Sequence, residues 1–258
     1  MSGHVARLTF MEKNMSRFDE ANAWGRPAGA FGAVSAAEFD AGLRKHMLSV
    51  YNYMASGLLL TGAIALFVAQ SPGLMAGIHG TPFKFVVMLA PLAFVMVLSF
   101  GIERLSASAM QGIFWAFSAT MGLSLSSIFM VYTGASIAEV FFISAATFAV
   151  TSLYGYTTQR DLTGFGGFLF MGLIGIVIAS LVNLFLASSM LQFVISVIGV
   201  LVFTGLTAYD TQKIKEGYAD SWSEESKSKV AIMGALTLYL DLINIFMMLL
   251  QLLGNRRD

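Results

Sequence analysis

Seven apolar stretches, each near the ~20 residues that cross a ~30 Å hydrocarbon layer as a helix, occupy most of this chain. They run over residues 48–69, 83–101, 108–132, 136–157, 165–187, 190–212 and 230–253. Backbone in hydrocarbon has to satisfy its hydrogen bonds within the protein, which leaves only helices and closed barrels as spanning structures. None of the seven alternates apolar with polar residues as a membrane barrel strand must. The fold class expected is therefore all-α and integral to a membrane, with a seven-helix transmembrane domain over 48–258. Composition agrees: 12% of the 258 residues are charged and mean hydropathy is +0.74, against about 25% charged in a soluble domain.

Residues 1–47 are polar and mixed in charge, and they lack the apolar core of a signal peptide. They are expected to form a flexible cytoplasmic tail with no cleaved signal. The chain has no cysteine, which excludes disulfides, thiol catalysis and zinc-thiolate sites. Its net charge of zero argues against a nucleic-acid partner. His4, His46 and His79 lie in the tail or at span edges, so no intramembrane histidine is expected. A serine-type intramembrane protease would need one.

Lysine and arginine placement orients the spans. Arg7, Lys13, Arg17, Arg26, Arg44 and Lys45 precede the first span, and Arg104, Arg160, Lys213, Lys215, Lys227 and Lys229 fall in the even-numbered connections. The other side holds Lys84 and, if the last span crosses fully, Arg256 and Arg257. The positive-inside bias makes the amino terminus cytoplasmic. It leaves the carboxyl terminus open, because a re-entrant last span would move Arg256 and Arg257 across. Seven crossings are expected, since no Gly or Pro interrupts the centre of the last span.

Small residues mark packing faces: Ser118, Gly122 and Ser126 in the third span, and Gly172, Gly175 and Ala179 in the fifth, read as close helix contacts. Pro91 predicts a kink in the second span. The last two spans differ from the rest because each carries an aspartate, Asp210 and Asp241. An ionised carboxylate at membrane depth costs roughly 3 kcal/mol or more, so such residues mark candidate functional sites. Thr237, Asp241, Asn244 and Gln251 are spaced to share one helix face. Thr207 shares a face with Asp210. Thr207, Thr237 and Asn244 are thus candidate pathway-lining residues. The charged stretch 213–229 reads as a solvated connection.

The aspartates are 31 residues apart, so an antiparallel pair turning near residue 225 would set them level. A capping box from Ser221 to Glu224 would instead start the last helix earlier and leave Asp241 deeper. An aspartyl intramembrane protease also uses two membrane aspartates. The runs YDTQK and LYLDLIN do not resemble the YD and GLGD pattern of that class, and no enzyme activity is expected.

The segment TGLTAYDTQKIK followed by ALTLYLDLINIFMMLLQLLG resembles the end of the transmembrane Bax inhibitor motif family. YGYTTQRDLTGFGGFLFMGLIG resembles the family's middle, and the likeness runs from about residue 44 to the end. It implies seven helices, the last one wrapped by the other six, in a prokaryotic inner (plasma) membrane. It further implies a pH-sensitive calcium leak channel in which Asp210 and Asp241 form a hydrogen-bonded gating pair near the cytoplasmic mouth. By the same likeness Arg104 is the match to an arginine that latches onto the pair. The chain departs from the family in its long amino-terminal tail, its longer connection from 213 to 229, and the lack of an acid in 83–101. Two adjacent carboxylates in a low dielectric do not both ionise readily, so such a pair holds one proton near neutrality and titrates as a unit. Its oxygens would be hard ligands for Ca2+ as cargo, with no resident cofactor. An alternative implied by prokaryotic relatives is a regulatory protein that binds a membrane protease.

Overall fold

The computed structural model describes residues 28–257. Within them the chain forms nine helices: α1 (Ala28–Ala69), α2 (Pro72–His79), α3 (Phe83–Gly101), α4 (Ala107–Leu125), α5 (Ile128–Val131), α6 (Gly134–Thr157), α7 (Thr163–Leu186), α8 (Ser189–Glu216) and α9 (Glu224–Leu253). Seven spans are long and apolar enough to cross a membrane, the third being α4 continued by α5. The chain divides into two compact units, Met1–Gly42 and Leu43–Asp258, of which the second holds the bundle. Of the expected tail, residues 1–27, with His4, Arg7, Lys13, Arg17 and Arg26, lie outside the described residues, and 28–47 are the first part of α1.

Helix starts follow the hydroxyl residues in the sequence. Ser106, Thr133, Ser188 and Ser223 each accept a hydrogen bond from the backbone N–H three residues on, which satisfies one of the donors a helix start leaves open. The cap of α9 is Ser223 bonded by the Ser226 N–H at 3.2 Å, not a box from Ser221 to Glu224. Glu224 and Glu225 then fill the first turn, where negative charge complements the helix dipole. Pro91 lies buried inside the continuous helix α3.

Helix α9 is the most buried of the spans. Two thirds (67%) of its most apolar window is buried, against 17–39% for the other spans. It packs against α3, α4, α6 and α8. Helix α1 joins it through Thr61, whose hydroxyl lies 2.7 Å from the Tyr239 hydroxyl and donates to the Ser118 carbonyl at 2.8 Å. Tyr239 is fully buried, with its ring edge-on to Phe117 at 5.1 Å and Phe114 at 6.4 Å. Helix α7 packs on α8 and faces α9 across a cavity.

The small residues act as expected at most positions. A Cβ on Gly122 would stand 2.7 Å from the Thr61 carbonyl oxygen, so α4 and α1 touch closely there, and one on Gly172 would stand 3.0 Å from Val202. Gly175 is different, because nothing lies within 4 Å of its Cβ position. The tightest seam, between α6 and α8, was not singled out in the sequence: a Cβ on Gly155 would be 2.9 Å from both the carbonyl carbon and the Cα of Ala208. One turn away, the Ser152 hydroxyl bridges Tyr51 (2.7 Å) and Thr211 (3.0 Å).

The end of α9 resolves the topology. The Thr133 N–H donates to the Asn255 carbonyl at 3.0 Å, the Arg257 N–H to Val131 at 2.9 Å, and the Asn255 N–H to the Ser136 hydroxyl at 2.9 Å. The chain end is thus clasped to the connection between the third and fourth spans, which lies on the side opposite the α8–α9 connection. The last helix therefore runs from one end of the bundle to the other and is long and apolar enough to cross a membrane.

Candidate functional site

Helices α8 and α9 run antiparallel in a register set by three contacts. Gly234 faces Ile214, Gly199 faces Met248, and the Ser196 hydroxyl donates to Gln251 Oε1 at 2.8 Å. Carried along both helices, this register puts Asp210 opposite Leu238 and Asp241 opposite Thr207. The aspartates are therefore about one helical turn apart in depth, or roughly 5 Å. The first turns of α9 overhang the end of α8, so the near-level placement holds although the connection, residues 217–223, precedes residue 225.

Across this interface the two side chains line one cavity, close enough for each carboxyl to feel the other. Two carboxyl groups can hydrogen-bond to each other only when one of them carries a proton. Asp241 is only 5% exposed, and its Oδ2 has no hydrogen-bond partner among the described residues. A buried oxygen of this kind is costly unless a proton, a cation or water reaches it.

The pair opens into a cavity of about 950 Å³ between α7, α8 and α9. Helix α7 supplies an apolar wall with Phe170, Ile176 and Val177, while α9 presents Thr237, Asp241 and Asn244 in line. The Thr237 hydroxyl donates to the Met233 carbonyl at 3.1 Å, and the Asn244 amide to Leu240 at 2.8 Å. The Thr237 donor and one of the two Asn244 donors are thus held by their own helix, and both acceptor oxygens are left for other partners. The polar stripe of the last helix is where its spacing put it.

Thr207 is not part of this lining. It is fully buried, its hydroxyl donates to the Phe203 carbonyl at 2.8 Å, and its own carbonyl accepts from Thr211 at 2.7 Å. A three-residue step on a helix turns the side chain by about 300°, enough here to move it from the cavity into the interior. Arg104 is exposed on the connection from α3 to α4. Among the described residues no ion pair joins it to either aspartate, and it does not line their cavity. The cation at the site is Lys213. It lines the cavity beside Asp210, its charge acts on that carboxyl, and its Nζ sits 5.9 Å over the Tyr209 ring. Lys213 follows Asp210 by three residues, a spacing that shares a helix face. The charged run that begins there hid the signal, because such runs read as solvated connections.

At the opposite ends of α7, α8 and α9 an amide network ties the three helices. The Asn183 amide donates to Gln192 Oε1 at 3.0 Å, Gln192 donates in turn to Gln251 Oε1, and the Asn183 side-chain oxygen accepts from the Ser188 N–H at 3.0 Å. Gln251 thus closes the stripe that begins at Thr237. His46 is also more interior than its position at the edge of a span suggested: it is buried, with its ring 5.3 Å from that of Tyr218 in the α8–α9 connection.

The family described as inhibitor of apoptosis-promoting Bax1 matches residues 43–258. The inner membrane protein YbhL of Escherichia coli (strain K12) is 51% identical over 220 residues, which are 84% of this chain and 94% of that protein. A protein of Rickettsia prowazekii, RP147, is 50% identical over 220 residues, covering 85% of this chain and 93% of its own. A Caulobacter vibrioides protein is 44% identical over 232 residues, covering 85% and 92%. The match starts at the first residue of the aspartate-bearing unit and spans every helix of the cavity.

Proposed function

The chain belongs to the family of the inhibitor of apoptosis-promoting Bax1, and on that premise we propose that it is a pH-sensitive cation leak channel, with Ca2+ as cargo, gated by Asp210 and Asp241. The observation that carries this reading is that two carboxyl groups line one cavity of the transmembrane domain, with a buried, unpartnered oxygen on Asp241 and with Lys213 beside them. A shared proton ties α8 to α9 and keeps the pair singly charged. When it leaves, two like charges in a low dielectric repel, and two hard oxygens become free for a divalent cation. Ca2+ takes 6–8 oxygen ligands in a firm site. Two carboxylates with the Thr237 and Asn244 oxygens reach only the bottom of that range, and only if both carboxylates bind through both oxygens, which suits passage rather than storage.

The bilayer is a cell inner membrane in this reading, as the name of the YbhL relative has it for that protein, and the amino terminus is cytoplasmic by the distribution of Lys and Arg. The pair then sits toward the cytoplasmic mouth. Lys213, rather than Arg104, supplies the counter-charge.

Calcium flux into proteoliposomes, measured across a pH series, tests this. Wild-type flux is expected to change with pH, and Asp210→Asn with Asp241→Asn to remove most of that dependence. A doubly substituted protein that keeps the wild-type pH profile would overturn the gating role.

A further inference from the structure

A second concave feature lies on the other side of α9 from the aspartate cavity. Helices α1 and α6 stand apart over much of their length, and the gap between them forms two connected apolar cavities of about 600 and 710 Å³ that share Leu58 and Phe141. The floor is α9, through Leu242, Ile243 and Phe246. Both volumes fall in the ~300–1,000 Å³ class of small-molecule sites. The rims are open to the hydrocarbon: Leu48, Leu59, Phe142 and Leu153 are all more than half exposed.

The two ends of this groove are chemically unlike. The half beyond Leu58 and Phe141 is lined by no charged residue. The half on the Lys/Arg-rich side ends at Arg44, Tyr51 and Tyr156. Lys215 adds a second cation there, with its Nζ 2.8 Å from the Tyr156 carbonyl oxygen and 5.5 Å from the centre of the Tyr156 ring. Arg44 is exposed and makes no ion pair among the described residues. An apolar slot open to lipid, ending in an unpaired guanidinium and phenol hydroxyls at the interface, has the chemistry of one occupant: an acyl chain in the slot with a phosphate headgroup at its mouth. A guanidinium binds phosphate in a bidentate fork, which favours a headgroup with no cation of its own.

We propose that the groove between α1 and α6 is a binding site for an anionic phospholipid, its phosphate held at Arg44 and its acyl chain lying on Leu242 of α9. The site also reaches the helix of Asp210. Tyr51 lines the groove, its hydroxyl is 2.7 Å from Ser152, and Ser152 is 3.0 Å from Thr211, the residue after Asp210 on α8. The lipid therefore sits at one end of a hydroxyl chain that ends beside the gating pair. Occupancy does not depend on the channel reading, and a failed flux experiment would leave it standing.

Native mass spectrometry of the full-length protein, released from nanodiscs of equal parts phosphatidylglycerol and phosphatidylcholine, tests this directly. Wild type is expected to retain phosphatidylglycerol several-fold over phosphatidylcholine. Arg44→Gln, at an exposed position that does not endanger the fold, is expected to bring the ratio close to one. Ala149→Trp, which fills the slot, is expected to lose both lipids. Arg104→Gln, an exposed arginine outside the groove, is expected to leave the ratio at its wild-type value. Equal retention of the two lipids by wild type, an unchanged ratio in Arg44→Gln, or an equal fall in Arg104→Gln would each overturn the proposal.

Discussion

Gly155→Ala is expected to loosen the seam that positions Asp210. The added methyl would stand 2.9 Å from two backbone atoms of Ala208, well inside the ~3.5–4.0 Å of an ordinary carbon contact. The obstruction is helix backbone, which cannot rotate aside, so α6 and α8 have to separate. Overpacking of this kind costs about 1–3 kcal/mol. Separation also stretches the bonds from Ser152 to Tyr51 and Thr211, one turn away, each worth ~0.6 kcal/mol within a membrane. The gain in helix propensity from Gly to Ala offsets ~1 kcal/mol. The net loss is about 1–3 kcal/mol. Gly175→Ala is the control, since it sits in a neighbouring helix with nothing within 4 Å of its Cβ position, and it keeps only the propensity gain. Reversible unfolding in mixed micelles of rising SDS content should separate the two variants by about 2–4 kcal/mol, the sum of both effects. If they agree within roughly 0.5 kcal/mol, the limit of additivity for independent sites, the seam is not the close contact described.

Two other outcomes follow from particular contacts. The Asp161 carboxylate accepts from the Thr163 N–H at 2.8 Å at the start of α7, and bonds from the Thr163 side chain and backbone hold it below the ordinary carboxylate range. A depressed folded-state value gives stability that is present above the unfolded pKa and lost as pH falls through the folded one. The stability difference between wild type and Asp161→Asn, read by thermal melts, should therefore be present at neutral pH and vanish in strong acid; a difference that grows toward acid would contradict this. At the centre, the Thr61 hydroxyl donates to the Ser118 carbonyl, so Tyr239 is the donor between the two hydroxyls. Tyr239→Phe should cost only ~0.6 kcal/mol, whereas Thr61→Val strands a buried phenol and should cost ~1–3 kcal/mol; the reverse order in micelle unfolding would refute the assigned direction.

The spans were legible because hydrocarbon leaves the backbone few options, and each expected span lies within a helix or adjoins its ends. The errors fall where helices leave the membrane. Helix α8 continues to Glu216 and α9 begins at Glu224, since polar turns remain helical outside the hydrocarbon while hydropathy marks only the apolar part. The Asp241 stripe was visible as spacing along one face. That Asp210 lines the same cavity depends on the register of two helices, which is set by contacts such as Gly199 with Met248 and leaves no local trace. Lys213 was missed because a lysine at a helix end reads as solvated, and only the cavity shows that it faces the pair. Thr207 fails for a related reason: a three-residue spacing names neighbours on a helix but not which of them the adjoining helix covers.

Helix α9 follows in the chain every helix it packs against. During synthesis its predecessors therefore enter the bilayer before their common partner exists, with the faces meant for Tyr239 and Leu238 turned to lipid or to one another. Insertion of α9 is then an act of assembly as much as of translocation. Its trailing residues, bonded to Val131, Thr133 and Ser136, are the last to lock. A nascent chain stalled before α9 would present quality-control proteases with helices that lack their common partner and with Asp210 lacking Asp241.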